Sequence, residues 1–486
     1  MAKRTSKDND FRITELQPDD EVTGSCLLVE VDEQVIIIDY GMLQNSHFDV
    51  TKAYDIAKEK KKVPIDKLTA VIITHSHADH VGNLGILSRS DIDFNGKIYA
   101  TELCAALTRE ILYDSAHIMN SEVERYNNNN KDKRKLSALY TKDEVDALMN
   151  MIRCYGYEEK VYLTEHLYFE FLPSGHLPAS AMIYLVYEKP DGRKKTLLCT
   201  GDFYYGDNAR PFTKSVLKKC LKANTVVVES TYGNRKHDYS NPIDFIEDII
   251  MKECVNKNRI LFIPVFAQHR STVLCYYLYQ IFRRNEEIRK KNIPVYFCSK
   301  LLSTCHDLLS KEAYKEFYDD EWKDLDHIFK NSGFTFVKQG LDVQKLLNNN
   351  LKIIIASSGM MSGGFSTMIA KSYVPNTKVS ILATGFQGED TIGRLLMDNE
   401  HKKIVIEGEA KTVRCKHLGI IPNMSCHADV DGIISFVKSL NQNVLKKILI
   451  HHGGKEEREN LQKELENVFK DRVEVKILNQ YDKVKF

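Results

Sequence analysis

The sequence predicts a mixed α+β and α/β protein laid out in three consecutive segments, and three patterns carry that expectation. Residues 20–100 are rich in short β-branched runs separated by turns. After about residue 212, continuous apolar runs alternate with helical stretches. From about residue 413 a strand, a charged helix and a closing strand end the chain. Continuous apolar strands alternating with helices are the mark of a parallel sheet covered on both faces.

The elements follow in order. Ser25–Val31 and Gln34–Asp39 flank an Asp32–Glu33 turn and read as a hairpin. Leu68–Thr74 is a buried-strand run ending in a polar cluster, and Leu84–Leu87 opens a helix-like stretch. Residues 102–165 read as helical and polar, with a solvated loop expected at Asn127–Asn130 and the basic residues after it. Tyr168–Leu172, Met182–Tyr187 and Lys195–Thr200 are strands. The alternating region supplies Thr225–Val228, Ile260–Phe266, Val295–Cys298, Phe334–Val337, Ile353–Ala356 and Val379–Thr384, with helical patterns such as Ser271–Arg284 between them. Lys447–Ile450, Glu456–Lys470 and Val473–Leu478 are the final strand, helix and strand. No internal repeat is found.

Composition excludes several classes. The chain has 486 residues, two or three domains' worth, and a hydrophobic fraction of 43% that is ample for real cores. Its 68 Lys and Arg against 67 Asp and Glu leave a formal charge of +1, which argues against coating nucleic acid by bulk charge. No apolar run approaches the ~20 residues of a membrane span, and the N-terminus lacks the apolar core of a secretory signal. The 11 cysteines are scattered singly without a C-x-x-C pair, the usage of reduced thiols. The expectation is a cytoplasmic protein with no membrane association.

The strongest local signal is Thr74-His75-Ser76-His77-Ala78-Asp79-His80. Three histidines and an aspartate in six residues are the nitrogen and oxygen donors that zinc prefers. His75 and His77 leave a strand end on a turn, while Asp79 and His80 begin the next helix. Further candidates also follow apolar runs directly: Asp39, His176, Asp202 and His452. Groups at the same ends of neighbouring strands share one sheet edge, where such scaffolds build sites.

Together with Asp39–Gly41, Ser174–His176 and Thr200–Asp202, this cluster resembles the metallo-β-lactamase fold. Glu229–Arg235 (ESTYGNR) resembles the first motif of the β-CASP nucleases, Met424–Asp429 (MSCHAD) their S-x-H-x-D motif, and Ile450–Gly453 (IHHG) their last. Ser357–Gly364 and Ala383–Arg394 resemble two further segments of that family. Asp114–His117 and Leu139–Asp143 are similar to the prokaryotic relatives of the cleavage-and-polyadenylation nuclease subunit, and the whole also resembles ribonuclease J. The resemblance runs in order along nearly the whole chain.

What it implies is a metallo-β-lactamase αββα sandwich, residues 1–211 and 413–486, with an inserted α/β β-CASP domain at 212–412. It implies a zinc-dependent ribonuclease that hydrolyses phosphodiester bonds of single-stranded RNA by a two-metal mechanism. His75, His77 and His176 would hold one Zn2+, Asp79, His80 and His452 the other, and Asp202 would bridge. His427 would protonate the leaving group, Glu229 would orient it, and Asp39 would fix the tautomer of a ligand histidine. Arg270, Ser358 and Gly359 would contact phosphate. A homodimer or an RNA-processing complex is the further association the family implies.

Two departures stand out. His451 and His452 are adjacent where the last motif usually has one histidine. Alignment to the glycine favours His452, and counting along the strand favours His451. Neighbouring strand residues face opposite ways, so only one ligates. In addition, His269 takes the place of the usual glycine in Phe266–Arg270. The rivals are a DNA nuclease of the same superfamily, a small-molecule hydrolase and an inactive scaffold subunit. Every ligand position is filled, which speaks against the last. His47, His166, His237, His306, His327, His401 and His417 belong to no constellation and read as structural or surface, and the single Trp322 as packing.

Overall fold

The computed structural model of the chain describes residues 11–19, 21–43, 51, 54–206, 212–216, 220–318, 325–385, 387–388, 391–398 and 402–486. His47, Trp322 and His401 lie outside them. The chain divides into two units, Met1–Lys236 with Cys426–Phe486, and His237–Ser425.

In the first unit the β-branched runs form two seven-stranded sheets. One runs in the order Lys483–Lys485, Arg12–Glu15, Leu27–Val31, Gln34–Ile38, Ala70–Ile72, Lys97–Ala100, Ile152–Cys154. The other runs Glu474–Ile477, Lys447–His451, Thr225–Glu229, Lys194–Cys199, Ala181–Glu188, Leu167–Pro173, Val161–Tyr162. The hairpin expected around Asp32 is present, with Val31 opposite Gln34 and Asp32 in the left-handed region at φ 58°.

Alternation along each strand sends every second side chain to the opposite face. Ile13, Leu27, Val29, Ile36 and Ile72 of one sheet thus meet Phe169, Ile183, Leu197, Val227 and Leu449 of the other in a shared core. The residues between them, such as Leu198, Val226, Val228, Ile448 and Ile450, face outward. They pack on Ile433, Phe436 and Val437 of helix Val430–Ser439 and on Leu461, Leu465 and Phe469 of helix Lys455–Phe469.

The second unit holds a six-stranded sheet in the order Thr335–Val337, Val295–Cys298, Ile353–Ala356, Ile260–Pro264, Val379–Ala383, Lys416–Ile420. Every pairing in it is parallel. The apolar runs therefore do what their lack of alternation predicts. Ile354, Ile260 and Ile381 bury one face against Ile369, Ala370 and Tyr373 of helix Gly364–Tyr373.

The division falls at 237 and 425, and Thr225–Glu229 is no strand of the inserted sheet. It lies between Lys194–Cys199 and Lys447–His451 in the first unit, parallel to both. The stretch 102–165 is not all helix: after Glu102–Asn129 and Lys142–Met149 come the edge strands Ile152–Cys154 and Val161–Tyr162. Asn127–Asn129, expected in a loop, ends the first of those helices. Among the described residues no helix is long and apolar enough to cross a membrane, and all eleven cysteines are free.

Candidate metal centre

The parallel register of strands brings the candidate residues together. Ile38 pairs with Ile72, so the chain leaves both strands side by side, and Asp39 N donates to Ile72 O at 3.0 Å. In the facing sheet Glu229 is in register with His451, placing the ends of Thr225–Glu229 and Lys447–His451 level. His75, His77, Asp79 and His80 follow strand Ala70–Ile72; Glu229 ends strand Thr225–Glu229, His452 follows Lys447–His451, and Asp202 follows the neighbouring strand Lys194–Cys199.

Three groups result. Donor atoms of His75, His77, His176 and Asp202 lie within 4.8 Å of one another, as do those of Asp79, His80 and His452, and those of Asp202, Glu229 and His427. The first two groups adjoin at Asp202. Its Oδ2 is 3.5 Å from His75 Nε2 and 3.6 Å from His176 Nε2. Its Oδ1 is 3.3 Å from His80 Nε2 and 3.6 Å from His452 Nδ1.

The donor set fits divalent cations. Ring nitrogens point at each other, with His75 Nε2 3.1 Å from His77 Nδ1 and His80 Nε2 3.1 Å from His452 Nε2. Burial holds His75 and His176 well below the usual imidazole pKa and takes His77 to about 4, so these rings are neutral with lone pairs to give. Burial opposes ionisation of Asp79, yet the hydrogen bond from His452 and the charge of His80 bring it to about 2. Burial likewise opposes charge on His80 and His452, but Asp202 raises both, with Asp39 adding at His80 and Asp79 at His452. The carboxylates thus demand positive charge at this point, which zinc's nitrogen–oxygen ligand preference would meet. Asp202 Oδ1 is buried with no hydrogen-bond partner among the described residues, an acceptor that a cation would satisfy.

The surroundings orient these rings. Asp39, left-handed at φ 61°, takes Thr74 N (2.8 Å) on Oδ1 and Thr74 Oγ1 (2.7 Å) on Oδ2, and faces His80 Nδ1 at 2.7 Å. His176 Nδ1 donates to Cys426 O at 2.9 Å. His427 Nδ1 sits 2.9 and 3.0 Å from the two oxygens of Glu229, whose carboxylate is itself held by Phe203 N and Thr231 N. The turn bearing His427 is pinned by Ala428 N to Phe203 O (2.7 Å) and by Asp429, which caps the following helix through Gly432 N.

Of the two adjacent histidines, His452 joins Asp79 and His80, while His451 points the other way, to Glu15 and Ser25. His452 takes a left-handed backbone, φ 52°, as the strand ends. Thr231 Oγ1, 3.3 Å from His452 Nδ1, was not singled out from sequence, though it lies inside the Glu229–Arg235 motif.

Arg270, Ser358 and Gly359 lie in the second unit. The Arg270 guanidinium stacks 5.0 Å over Phe266, with Nη1 buried and without a hydrogen-bond partner among the described residues. A Cβ on Gly359 would come within 2.6 Å of the same ring, so glycine permits that approach. Ser358 N donates to Gly363 O at 3.3 Å, and Ser358 Oγ accepts from Ser362 N at 3.2 Å. His306, expected as structural or surface, is a core histidine against Ser271 and Phe329.

Comparisons with known proteins agree with this architecture. Residues 19–114 match the family model described as Metallo-beta-lactamase superfamily, and residues 272–396 the one described as Beta-Casp domain. The chain is 28% identical to "Probable RNase MJ4" of Methanocaldococcus jannaschii, across 89% of this chain and 91% of that one. It is 26% identical to "Transcription termination factor FttA" of Thermococcus kodakarensis (91% of this chain, 66% of that one). It is 22% identical to "Endoribonuclease YSH1" of Candida albicans (92% and 49%), so it spans about half of that longer protein. A crystal structure of a protein of unknown function from Enterococcus faecalis V583 aligns at a TM-score of 0.52 with 10% identity, over 98% of this chain and all of that one, a likeness of fold alone.

Proposed function

Because the chain carries a metallo-beta-lactamase domain and a Beta-Casp domain, we propose that it is a metal-dependent nuclease that hydrolyses phosphodiester bonds of single-stranded RNA. One observation carries the reading: two donor groups adjoin at Asp202, with the Glu229–His427 pair alongside. A binding module would have no use for that third group.

In this reading His75, His77 and His176 would hold one zinc ion and Asp79, His80 and His452 the second, with Asp202 between the two groups. Ions so held would supply Lewis-acid activation of water and of the scissile phosphate. The chain does the rest. Asp39 keeps the His80 ring in one tautomer, so its Nε2 stays turned to the ligand group. Glu229 accepts from His427 Nδ1 and favours the imidazolium, so the proton delivered to the departing oxygen is the one on Nε2. Arg270, Ser358 and Gly359 would contact a phosphate of the RNA chain, the guanidinium supplying positive charge and paired donors. The free cysteines fit a cytoplasmic setting.

The names of the relatives support RNA over DNA, since two are called RNase or endoribonuclease. The test is direct. Purified protein is incubated with end-labelled single-stranded RNA and with DNA of the same sequence, with and without a chelator. RNA cleavage that the chelator abolishes is expected. Cleavage of DNA alone, or of neither, would overturn the proposal.

A further inference from the structure

The inter-sheet core of the first unit does not end in apolar residues. Ile13 continues two residues on to Glu15, Leu449 to His451, and Leu27 is preceded by Ser25, so all three polar residues share the faces of core side chains. They meet there. His451 Nδ1 is 2.5 Å from Glu15 Oε2, and His451 Nε2 is 3.1 Å from Ser25 Oγ. The remaining carboxylate oxygen accepts from Gln17 N at 2.9 Å. Glu15 and Ser25 are each 3% exposed and His451 8%.

We propose that Glu15, His451 and Ser25 form a buried positioning relay that sets the geometry of the Asp79, His80 and His452 group, a role that rests on that group being a metal site. Two members of the relay, Ser25 and His451, connect to the group through the backbone. Ser25 N donates to Asp79 O at 2.9 Å, and Ser25 O accepts from Gly41 N at 2.8 Å, tying the ligand turn to the loop after Asp39. In the middle of the relay, His451 precedes His452 directly. With the His451 ring held between Glu15, at the end of strand Arg12–Glu15, and Ser25, in the segment before strand Leu27–Val31, the strand end is fixed and His452 is delivered to the ligand side. Ser230 closes the arrangement, its Oγ donating to His451 O (3.0 Å) and its N to His452 O (2.9 Å).

The carboxylate–imidazole–hydroxyl order is also that of an activated serine nucleophile. Burial decides against that use: at 3% exposure the Ser25 hydroxyl, bonded inside the sandwich, meets no substrate. Packing alone does not account for the relay either. A buried ion pair is on average no more stabilising than an apolar pair of the same size, whereas a fully bonded polar network fixes one geometry. Orienting groups behind metal ligands are worth about 10- to 100-fold in metal affinity.

The test measures zinc affinity of the full-length protein by competition with a chelator. Wild type is compared with Ser25→Ala, Glu15→Gln and His451→Val, and with the double variant Glu15→Leu/His451→Val. The single variants are expected to weaken one of two zinc ions by about 10- to 100-fold, Ser25→Ala least, with the other ion unaffected. The double variant extends the apolar layer, so it should regain the melting temperature lost in the singles while its second zinc stays weak. A double variant with wild-type affinity for both ions would overturn the relay and leave the pair as core packing. Unchanged affinity in Ser25→Ala and Glu15→Gln, which keep the fold with least disturbance, would do the same. A wild type that takes up fewer than two ions would overturn the metal-site reading, and the relay with it.

Discussion

Asp202 is the residue at which the two donor groups meet, since each of its oxygens faces a different pair of imidazoles. His427 stands apart from both, 3.9 Å from Asp202 and bonded to Glu229 rather than to another histidine. That separation yields a prediction at the scale of one side chain. His427→Ala should keep its full metal content and its affinity for RNA while losing about 10²–10⁴ in single-turnover cleavage, the usual worth of a positioned acid. Glu229→Gln should lose less, because it removes orientation and charge support but not the proton. The double variant should be no slower than His427→Ala, since the two act as a unit. Single-turnover rates with metal assays on the same preparations check this. Loss of metal in His427→Ala would make that histidine a ligand instead.

At the scale of elements, the site is built on turns, and their glycines record how closely the backbones approach. A Cβ on Gly41 would lie 1.7 Å from Asp79 O, so Gly41→Ala must push the loop after strand Gln34–Ile38 off the ligand turn. Overpacking of this kind costs about 1–3 kcal/mol. Denaturant unfolding should show that loss, and chelator competition should show weakened metal binding in the folded fraction. The same scale explains what could be read from sequence. Strands such as Ile353–Ala356 and Val379–Ala383 are legible because burial on both faces leaves continuous apolar runs. Ile152–Cys154 and Glu409–Thr412 are not, being short and largely exposed strands held by neighbours' hydrogen bonds and not by their own apolar pattern. Six candidate donors, His75, His77, Asp79, His80, His176 and Asp202, stand out in the sequence because their chemistry is rare and ordered along the chain. Which of His451 and His452 joins them does not, for the answer lies with Glu15, 436 residues away. Thr225–Glu229 read correctly as a strand, but a run of apolar residues does not say which sheet it enters.

The molecule as a whole combines two units with separate cores, and a titration distinguishes them. Buried Glu253 in the second unit is bonded to Lys257, Lys416 and Ser380, each at 3.0 Å. Burial opposes its charge, but these partners hold its pKa at about 2, below the ordinary 4.5. A carboxylate depressed in the folded state adds stability that is fully present above its unfolded pKa and fades as pH falls through the folded one. The margin of wild type over Glu253→Gln in urea unfolding should therefore hold above pH 5, shrink below 4.5 and vanish near 2. A margin that does not change across that window would mean the ion pairs of Glu253 carry no stability.

The metal content of the whole chain bears most directly on the central claim, that two ions sit in adjoining groups sharing Asp202. Elemental analysis of zinc-loaded, gel-filtered protein should give two ions per chain in wild type and close to one in Asp79→Ala, because that substitution removes a ligand from only one group. One ion or none in wild type, or two retained in Asp79→Ala, would contradict it.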